Sequence, residues 1–189
     1  CDLMRAALKK MGAPEDLVIG IETPSLETTN ELMRQCDLVL ATGGGAMVHA
    51  AYSSGSPALG VGVGNAVITV DDTADLDAAA EKIRLSKTLD LAASCSSDNS
   101  VVLLDGIYEP MLEKLKAQGG YLCNAEEKAA LRRTLWDEEL HLNTAIVAQP
   151  PEKIAQMAGI SIPEETKFFI VPEDGWGPEH PFSGEKLSV

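Results

Sequence analysis

The sequence predicts an α/β fold built on parallel strands, and three observations lead to this prediction. Short apolar runs of strand length alternate along the chain with amphipathic stretches of helical spacing. Within the first 52 residues the order is strand, helix, strand, glycine turn and helix, which is typical of βαβ units with right-handed crossovers. Hydrophobic residues make up 45% of the 189 residues and charged residues 23%, which is the balance of an ordinary globular protein.

The first part of the chain supplies three predicted helices and two predicted strands. Apolar residues at helical spacing, with a capping serine or a terminating glycine nearby, predict helices over residues 2–10, 25–35 and 46–52. Short apolar runs predict buried strands over residues 17–21 and 37–42. The small and polar residues 53–57 form a loop, which marks a candidate domain boundary.

The second part begins with a glycine-rich apolar run over residues 58–63. Apolar runs then predict strands over residues 66–70, 101–104, 144–147 and 167–171. Helical spacing predicts helices over residues 76–91, 109–119, 125–135 and 154–158. An acidic turn over residues 71–75 suits the N-terminus of the first of these helices, and Gly119 and Gly159 suit two helix ends.

The charge balance excludes some classes of partner. Lys and Arg number 15 and Asp and Glu number 29, so the net charge is −14, which disfavours binding to nucleic acids and to anionic membranes. No apolar run approaches the roughly 18 residues of a transmembrane helix. We expect no signal peptide and therefore reduced thiols. Because the sequence opens with Cys1 inside a predicted helix and ends in a strand-like segment, we expect it to be part of a longer protein.

Cys95 is the first of the residues that could carry chemistry. It follows a predicted helix and is surrounded by small and polar residues, which leave room for a substrate and for backbone N–H donors. A cysteine is more often a buried structural residue, so on local sequence alone both interpretations stay open. Cys1, Cys36 and Cys123 have no comparable setting, and no cluster of residues has metal-ligand spacing.

Two further features are ambiguous on local sequence. The turn Thr42–Gly45 lies between a predicted strand and a helix, where glycines and free N–H groups suit an anionic ligand; a plain tight turn is the alternative. His180 stands in a proline-rich loop and is either a surface residue or a proton acceptor. His49 and His141 are interpreted as structural.

These pieces recur together in one known family. The stretches are LATGGGAMVHAAYSSG (40–55), GVGVGN (60–65), DTADLD (72–77), SKTLD (86–90), NTAIV (143–147), IAQMAGI (154–160) and HPFSGEKLS (180–188). In this order and spacing they closely resemble the CoA-acylating aldehyde dehydrogenases, a branch that includes aldehyde-alcohol dehydrogenases and acylating sulfoacetaldehyde dehydrogenase. The resemblance implies an aldehyde dehydrogenase-like, three-layer αβα fold with a mostly parallel sheet. Residues 1–57 would end a Rossmann-like cofactor-binding domain, and residues 58–189 would form an incomplete catalytic domain.

The resemblance also implies roles for individual residues. Cys95 takes the place of the nucleophile, and His180 is the candidate for proton transfer with coenzyme A or, equally, for orienting the Glu185 loop. Glu185 takes the place of the glutamate that holds the nicotinamide ribose. The cofactor is NAD or NADP, with coenzyme A as co-substrate, and the implied cofactor-binding residues are Thr42, Gly43, Gly44, Val61, Gly62, Glu185 and Leu187.

One departure from the wider superfamily indicates the reaction. Hydrolytic aldehyde dehydrogenases carry Glu-Leu-Gly-Gly about 34 residues before the nucleophile, and that glutamate is the base for thioester hydrolysis. This sequence has Gly60-Val-Gly-Val63 instead, with Gly60 in the glutamate's place, so a thioester would survive until the thiol of coenzyme A takes it.

The resemblance implies a setting for the enzyme as well. We expect a small substrate such as acetaldehyde or sulfoacetaldehyde. We also expect a homo-oligomer in the cytoplasm or in a bacterial microcompartment. The alternatives are a hydrolytic aldehyde dehydrogenase and a non-catalytic part of a larger assembly.

Overall fold

The computed structural model describes residues 1–189, which divide into two compact units, Cys1–Gly62 and Val63–Val189. The division falls after residue 62 rather than after residue 57, and the roles expected for the two parts stay predictions. Helices and strands alternate through both units, and every strand pair is parallel, which confirms the α/β class. No helix in the structure has the length and the apolar character needed to cross a bilayer.

The first unit contains three helices and one pair of strands. The helices are α1 (Asp2–Lys10), α2 (Leu26–Gln35) and α3 (Gly45–Tyr52), and the strands are β1 (Val39–Thr42) and β2 (Ala58–Val61). β1 and β2 pair in parallel with Thr42 opposite Val61, and α3 forms the crossover between them. Because Ser25 accepts a hydrogen bond from the N–H of Thr28 at 3.0 Å, α2 starts where the sequence predicted.

Two predictions for this unit need correction. Residues 17–21 do not form a strand: Leu17 ends a short 3₁₀ turn, and Ile19 is 79% exposed. An apolar run becomes a strand only where a neighbouring strand pairs with it, and none does so here. The strand β2 was missed because Gly60 interrupts its side-chain alternation.

The second unit contains four helices and two pairs of strands. The helices are α4 (Leu76–Thr88), α5 (Tyr108–Ala117), α6 (Ala125–Leu135) and α7 (Pro151–Ala158). The strands are β3 (Ala66–Val70), β4 (Asp98–Leu103), β5 (Gly120–Leu122) and β6 (Phe168–Ile170). β3 pairs with β4 and β5 with β6, so the six strands of the chain form three separate parallel pairs.

The predicted strand over residues 144–147 is also wrong. Thr144–Ile146 form a 3₁₀ turn, which begins where the side chain of Asn143 accepts the N–H of Ala145 at 3.0 Å. The apolar character of this segment instead reflects burial, since Ile146 is completely enclosed in the core of the second unit. Other members of that core are Met111, Leu131, Ile154 and Phe182.

Candidate active site

Cys95 lies on the turn that closes the crossover β3–α4–β4. The helix α4 begins at Asp75, whose carboxylate accepts the N–H groups of Asp77 and Ala78 at 3.0 and 3.1 Å. It ends at Thr88, and β4 starts at Asp98, three residues after Cys95. The Cys95 side chain is a free thiol on an exposed residue. The crossover therefore presents the thiol where a substrate can reach it.

The backbone before Cys95 adopts an unusual conformation. Asp90, Leu91 and Ala92 have φ angles of 48°, 53° and 57°, the left-handed region that residues with a side chain seldom occupy. Ala92 is nevertheless 1% exposed, and Leu91 packs against the core of the second unit. Packing thus holds three consecutive residues in a strained turn, and strain of this kind often accompanies a functional site.

Gly64 brings Cys95 and Glu185 together. Its N–H donates a hydrogen bond to the Oε1 atom of Glu185 at 3.3 Å. A Cβ atom added to Gly64 would lie 3.0 Å from the backbone oxygen of Cys95 and 3.5 Å from the same Glu185 oxygen. A side chain would crowd both neighbours, so glycine permits the close approach. The residues expected to be the nucleophile and the ribose-binding carboxylate therefore contact one glycine.

Hydrogen bonds tie the Glu185 loop to the two strands beside Cys95. The backbone oxygen of Ser183 accepts the side-chain amide of Asn65 at 2.8 Å and the hydroxyl of Ser100 at 3.0 Å. The N–H of Lys186 donates to the side-chain oxygen of Asn99 at 3.2 Å. Glu185 is thereby anchored on both sides, which suits a carboxylate that must hold its position.

Leu187 is a further predicted cofactor residue in this loop. It has a φ angle of 50°, and its backbone oxygen accepts the N–H of Ala148 at 3.1 Å. The side chain is half-buried in the second unit. The structure thus places Leu187 two residues beyond Glu185 in a constrained backbone, and its role in binding the cofactor stays a prediction.

His180 lies five residues before Glu185 in the same loop, and the carboxylate of Glu173 holds its ring. Its Nδ1 atom lies 2.7 Å from the Oε2 atom of Glu173, and the histidine side chain is 34% exposed. Lys128 reaches the same carboxylate oxygen at 3.1 Å. His180 is therefore a fixed residue of the loop and not a freely moving surface side chain.

Two buried lysines lie behind the site. Burial lowers the pKa of Lys186 to about 7, with a further reduction from the charge of Lys87 and a partial offset from Glu173. Burial lowers the pKa of Lys87 to about 8, partly offset by Asp98. Lys186 donates to the backbone oxygens of Phe182 and Gly184 at 2.7 and 2.6 Å, whereas the Nζ atom of Lys87 has no hydrogen-bond partner.

The predicted cofactor residues of the first unit gather at one end of its strand pair. Thr42 ends β1 opposite Val61, and the N–H of Gly43 donates to the backbone oxygen of Val61 at 3.1 Å. Gly44 then caps α3 without a side-chain hydrogen bond, and the space beside it is open. The first N–H groups of α3 are therefore available to an anion, as expected for a pyrophosphate.

The position assigned to the hydrolytic glutamate requires a correction. A Cβ atom on Gly60 would lie 2.7 Å from Cγ1 of Val48 and 2.8 Å from Cε2 of Tyr52, so a glutamate does not fit there. Successive residues of a strand face opposite sides, and Val61 is 48% exposed. Val61 also lies 95 − 61 = 34 residues before Cys95. We therefore assign the glutamate's place to Val61, which likewise lacks a carboxylate.

The other cysteines have different surroundings. Cys123 is 5% exposed, and burial raises the pKa of its thiol to about 12, which makes it unreactive. Cys36 is half-buried against the core of the first unit.

Sequence reasoning missed Gly64, Glu173 and Lys186. Gly64 belongs to the glycine run 60–65, whose interest in the sequence was the missing hydrolytic glutamate. Lys186 lies in the motif 180–188, in which only His180, Glu185 and Leu187 were given roles. Glu173 carries no local signal, because only the folded loop places it beside His180.

Comparison with known proteins shows the relationship directly. The chain is 44% identical over 189 residues to the bifunctional aldehyde-alcohol dehydrogenase AdhE of Escherichia coli (strain K12), covering 99% of this chain and 21% of AdhE. It is 45% identical over 188 residues to a sulfoacetaldehyde dehydrogenase (acylating) of Cupriavidus necator, covering 98% of this chain and 38% of that protein. The chain thus spans between about a fifth and two fifths of these relatives.

Solved structures give the same picture. An acetylating aldehyde dehydrogenase from Geobacillus thermoglucosidasius superposes with a TM-score of 0.93 and 41% identity, over 99% of this chain and 42% of that chain. Two further structures are each 29% identical with a TM-score of 0.85. One is an engineered glycolyl-CoA reductase with bound NADP⁺, and the other is a propionaldehyde dehydrogenase from Rhodopseudomonas palustris with bound CoA and an acylated cysteine. The model of the aldehyde dehydrogenase family matches residues 2–123. The chain therefore belongs to the aldehyde dehydrogenase family.

Proposed function

We propose that this protein is a CoA-acylating aldehyde dehydrogenase, which converts a small aldehyde, NAD(P)⁺ and coenzyme A to acyl-CoA and NAD(P)H. The observation that carries the proposal is the exposed Cys95, whose backbone oxygen lies close to Gly64, the residue that also binds Glu185, in a chain without a carboxylate at Val61 or Gly60. Relatives at 44–46% identity whose names include acylating enzymes support it.

Cys95 and Glu185 supply the oxidation half-reaction. The thiolate of Cys95 attacks the aldehyde carbon to form a thiohemiacetal. In the second unit, Glu185 would accept hydrogen bonds from hydroxyl groups of the cofactor ribose. In the first unit, the N–H groups of the turn at Gly44 would bind an anionic group such as a phosphate. When bound, NAD(P)⁺ accepts the hydride, and the acyl group is left on Cys95 as a thioester.

The second half-reaction transfers the acyl group. Without a carboxylate base to activate water, the thioester on Cys95 persists until a thiol arrives. His180 accepts the proton of the coenzyme A thiol, and the resulting thiolate displaces Cys95 from the acyl carbon. The proposal includes acetaldehyde or sulfoacetaldehyde as substrate, a cytoplasmic or microcompartment location and a homo-oligomeric enzyme, whose state a native mass measurement would establish.

Dependence on coenzyme A tests the proposal. The full-length protein given aldehyde and NAD(P)⁺ alone should produce at most one equivalent of NAD(P)H, and adding coenzyme A should restore turnover with acyl-CoA as product. Steady production of NAD(P)H and free acid without coenzyme A would instead establish the hydrolytic alternative. No reaction of Cys95 with aldehyde at all would favour the non-catalytic alternative.

A substitution at Val61 sharpens this test. Val61→Glu places a carboxylate where hydrolytic relatives carry their base, so we expect free acid to form faster without coenzyme A. Val61→Gln is the matched control, because it has the same size and no charge, and it should leave hydrolysis at the level of the unchanged enzyme.

A further inference from the structure

The loop between β6 and Glu185 contains a partly buried carboxylate for which the reaction steps above give no role. Glu173 has a side chain that is 15% exposed, and its Oε2 atom lies 2.7 Å from Nδ1 of His180. A carboxylate that is ionised accepts hydrogen bonds and cannot donate them, so Nδ1 must carry the proton in this pair. In the neutral imidazole the lone pair is then on Nε2.

Lys128 makes two contacts, one with this carboxylate and one with the backbone of the residue before it. The Nζ atom of Lys128, on α6, lies 3.1 Å from the same Oε2 atom. The same ammonium group donates to the backbone oxygen of Pro172 at 2.5 Å, which ties the loop to the helix. Lys128 therefore compensates the charge of Glu173 and holds the residue immediately before it.

The ring of His180 is also seated against the loop backbone. A Cβ atom on Gly175 would lie 2.6 Å from Nε2 and 2.8 Å from Cδ2 of His180. The glycine therefore allows the imidazole to lie flat against the chain, and any side chain there would displace the ring. Orientation of His180 is thus set on one side by Glu173 and on the other by Gly175.

We propose that Glu173 is a positioning residue for His180, which selects the tautomer whose Nε2 atom accepts a proton. This inference rests on the proposed function, in which His180 serves the acyl transfer to coenzyme A. Nε2 takes the proton of the coenzyme A S–H group and becomes an imidazolium N–H. The thiolate sulfur bonds to the acyl carbon, the bond from that carbon to Cys95 breaks, and the proton returns from Nε2 to the departing Cys95 sulfur.

Kinetics of the two half-reactions test the role of Glu173 in the full-length enzyme. Glu173→Ala should slow acyl transfer to saturating coenzyme A by about tenfold or more. A positioned proton acceptor contributes roughly 10²–10⁴-fold to a rate, and this variant keeps the acceptor but loses part of its orientation. The same variant should give an NAD(P)H burst within twofold of the unchanged enzyme, because the oxidation half-reaction does not use His180. Glu173→Gln should recover part of the loss, since its amide oxygen can still accept the Nδ1 proton.

Asp174→Ala is the matched control, because Asp174 is an adjacent exposed carboxylate without a hydrogen bond or an ion pair. It should transfer the acyl group at the unchanged rate. Acyl transfer by Glu173→Ala at the rate of the unchanged enzyme would overturn the proposal. Absence of coenzyme A-dependent product in the unchanged enzyme would overturn the proposed function instead.

The tautomer can also be measured without any substrate. ¹⁵N spectra of imidazole-labelled protein at alkaline pH, assigned with His180→Gln, should show a protonated Nδ1 and an unprotonated Nε2 for His180. Free imidazole side chains favour the opposite tautomer, so Glu173→Ala should shift His180 toward a protonated Nε2. A protonated Nε2 in the unchanged protein would overturn the assignment even if the variants fold poorly.

Discussion

At the scale of single residues, Gly64 allows Cys95 and Glu185 to approach the same point of the backbone. The thiol is exposed, yet the backbone oxygen of Cys95 lies close to Gly64, whose N–H also contacts Glu185. Two residues for which we propose separate chemical tasks thus share a neighbour without a side chain. This arrangement allows each task to be removed without the other.

Removal of Cys95, the proposed nucleophile, should abolish aldehyde oxidation. We expect Cys95→Ser to reduce aldehyde oxidation by several orders of magnitude, because a serine hydroxyl is far harder to ionise near neutral pH than a thiol. The measurement is steady-state NAD(P)H formation with coenzyme A present. Cys36→Ser is the control and should retain activity. Retention of more than about a tenth of the rate by Cys95→Ser, a change below about 1.4 kcal/mol, would contradict the assignment.

Removal of the proposed ribose contact of Glu185 should affect only the use of the cofactor. Glu185→Gln loses a charged acceptor, whose hydrogen bonds contribute about 1.5–3 kcal/mol, so we expect roughly a tenfold to hundredfold loss in kcat/KM for NAD(P)⁺. The rate of Cys95 alkylation by iodoacetamide should stay the same in the absence of cofactor. Unchanged cofactor kinetics would show that Glu185 only supports the loop.

At the scale of elements, the segment that carries Cys95 depends on how α4 begins and ends. Asp75 caps the first turn, and the left-handed residues Asp90–Ala92 redirect the chain after the helix. Both ends are therefore defined by local backbone contacts, while the faces of the helix are defined by core packing.

The cap of α4 makes a measurable contribution to stability. Asp75→Ala should lower the free energy of unfolding by about 1 kcal/mol, or about 2–4 °C in Tm, because two N–H groups lose their acceptor. Asp72→Ala removes the same charge from the same acidic turn but no capping hydrogen bond, and its Tm should stay unchanged. Equal effects of the two substitutions would mean that charge and not capping determines the helix start.

The elements also show which parts of the fold local sequence can predict. Helices α1, α2 and α6 match their predicted bounds to within a residue, because amphipathic spacing and caps such as Ser25 are local properties. Strands fared worse: β2 and β5 were missed, and residues 17–21 and 144–147 were predicted wrongly. Short apolar runs do not reveal whether a partner strand exists, and Gly60 and Gly120 weaken the pattern in the two missed strands.

The residues of the candidate site also divide into those that local sequence can select and those that it cannot. Cys95, Glu185 and the Thr42–Gly44 turn could be selected from residue type and motif, and their functional roles remain predictions. Glu173 and Gly64 could not be selected, because their significance lies in contacts with distant residues such as Glu185.

At the scale of the whole molecule, buried lysines link stability to pH. Burial holds the pKa of Lys87 at about 8 and that of Lys186 at about 7, both below the usual 10.5. Between these folded-state values and 10.5 the unfolded chain binds more protons, so stability should rise with pH through this window. Because burial raises the pKa of Cys123 to about 12, that thiol opposes the trend above its usual value of 9.0. The free energy of unfolding should therefore rise between pH 7 and about 8.5.

Lys87 allows a direct test of this linkage. Lys87→Met keeps the length of the side chain and breaks no hydrogen bond, so we expect a gain in unfolding free energy on the order of 2 kcal/mol at pH 7. The gain should shrink as the pH rises from about 8 toward 10.5, because over this range the folded lysine is already neutral while the unfolded chain still loses its proton. Lys82→Met, at an exposed position of α4, should change stability by less than about 0.5 kcal/mol in urea unfolding. A pH-independent gain for Lys87→Met would contradict the linkage.

The hydrogen bond from Gly64 to Glu185 joins residues 121 positions apart, and this separation has a consequence for biosynthesis. A ribosome that adds about 5–20 residues per second completes Glu185 roughly 6–24 s after Gly64. The crossover β3–α4–β4 is complete at Leu103, so all of its residues are made well before Glu185. For those seconds a newly made chain carries Cys95 without the carboxylate of Glu185. The contact between Gly64 and Glu185 is therefore one that a newly made chain can form only late in its synthesis.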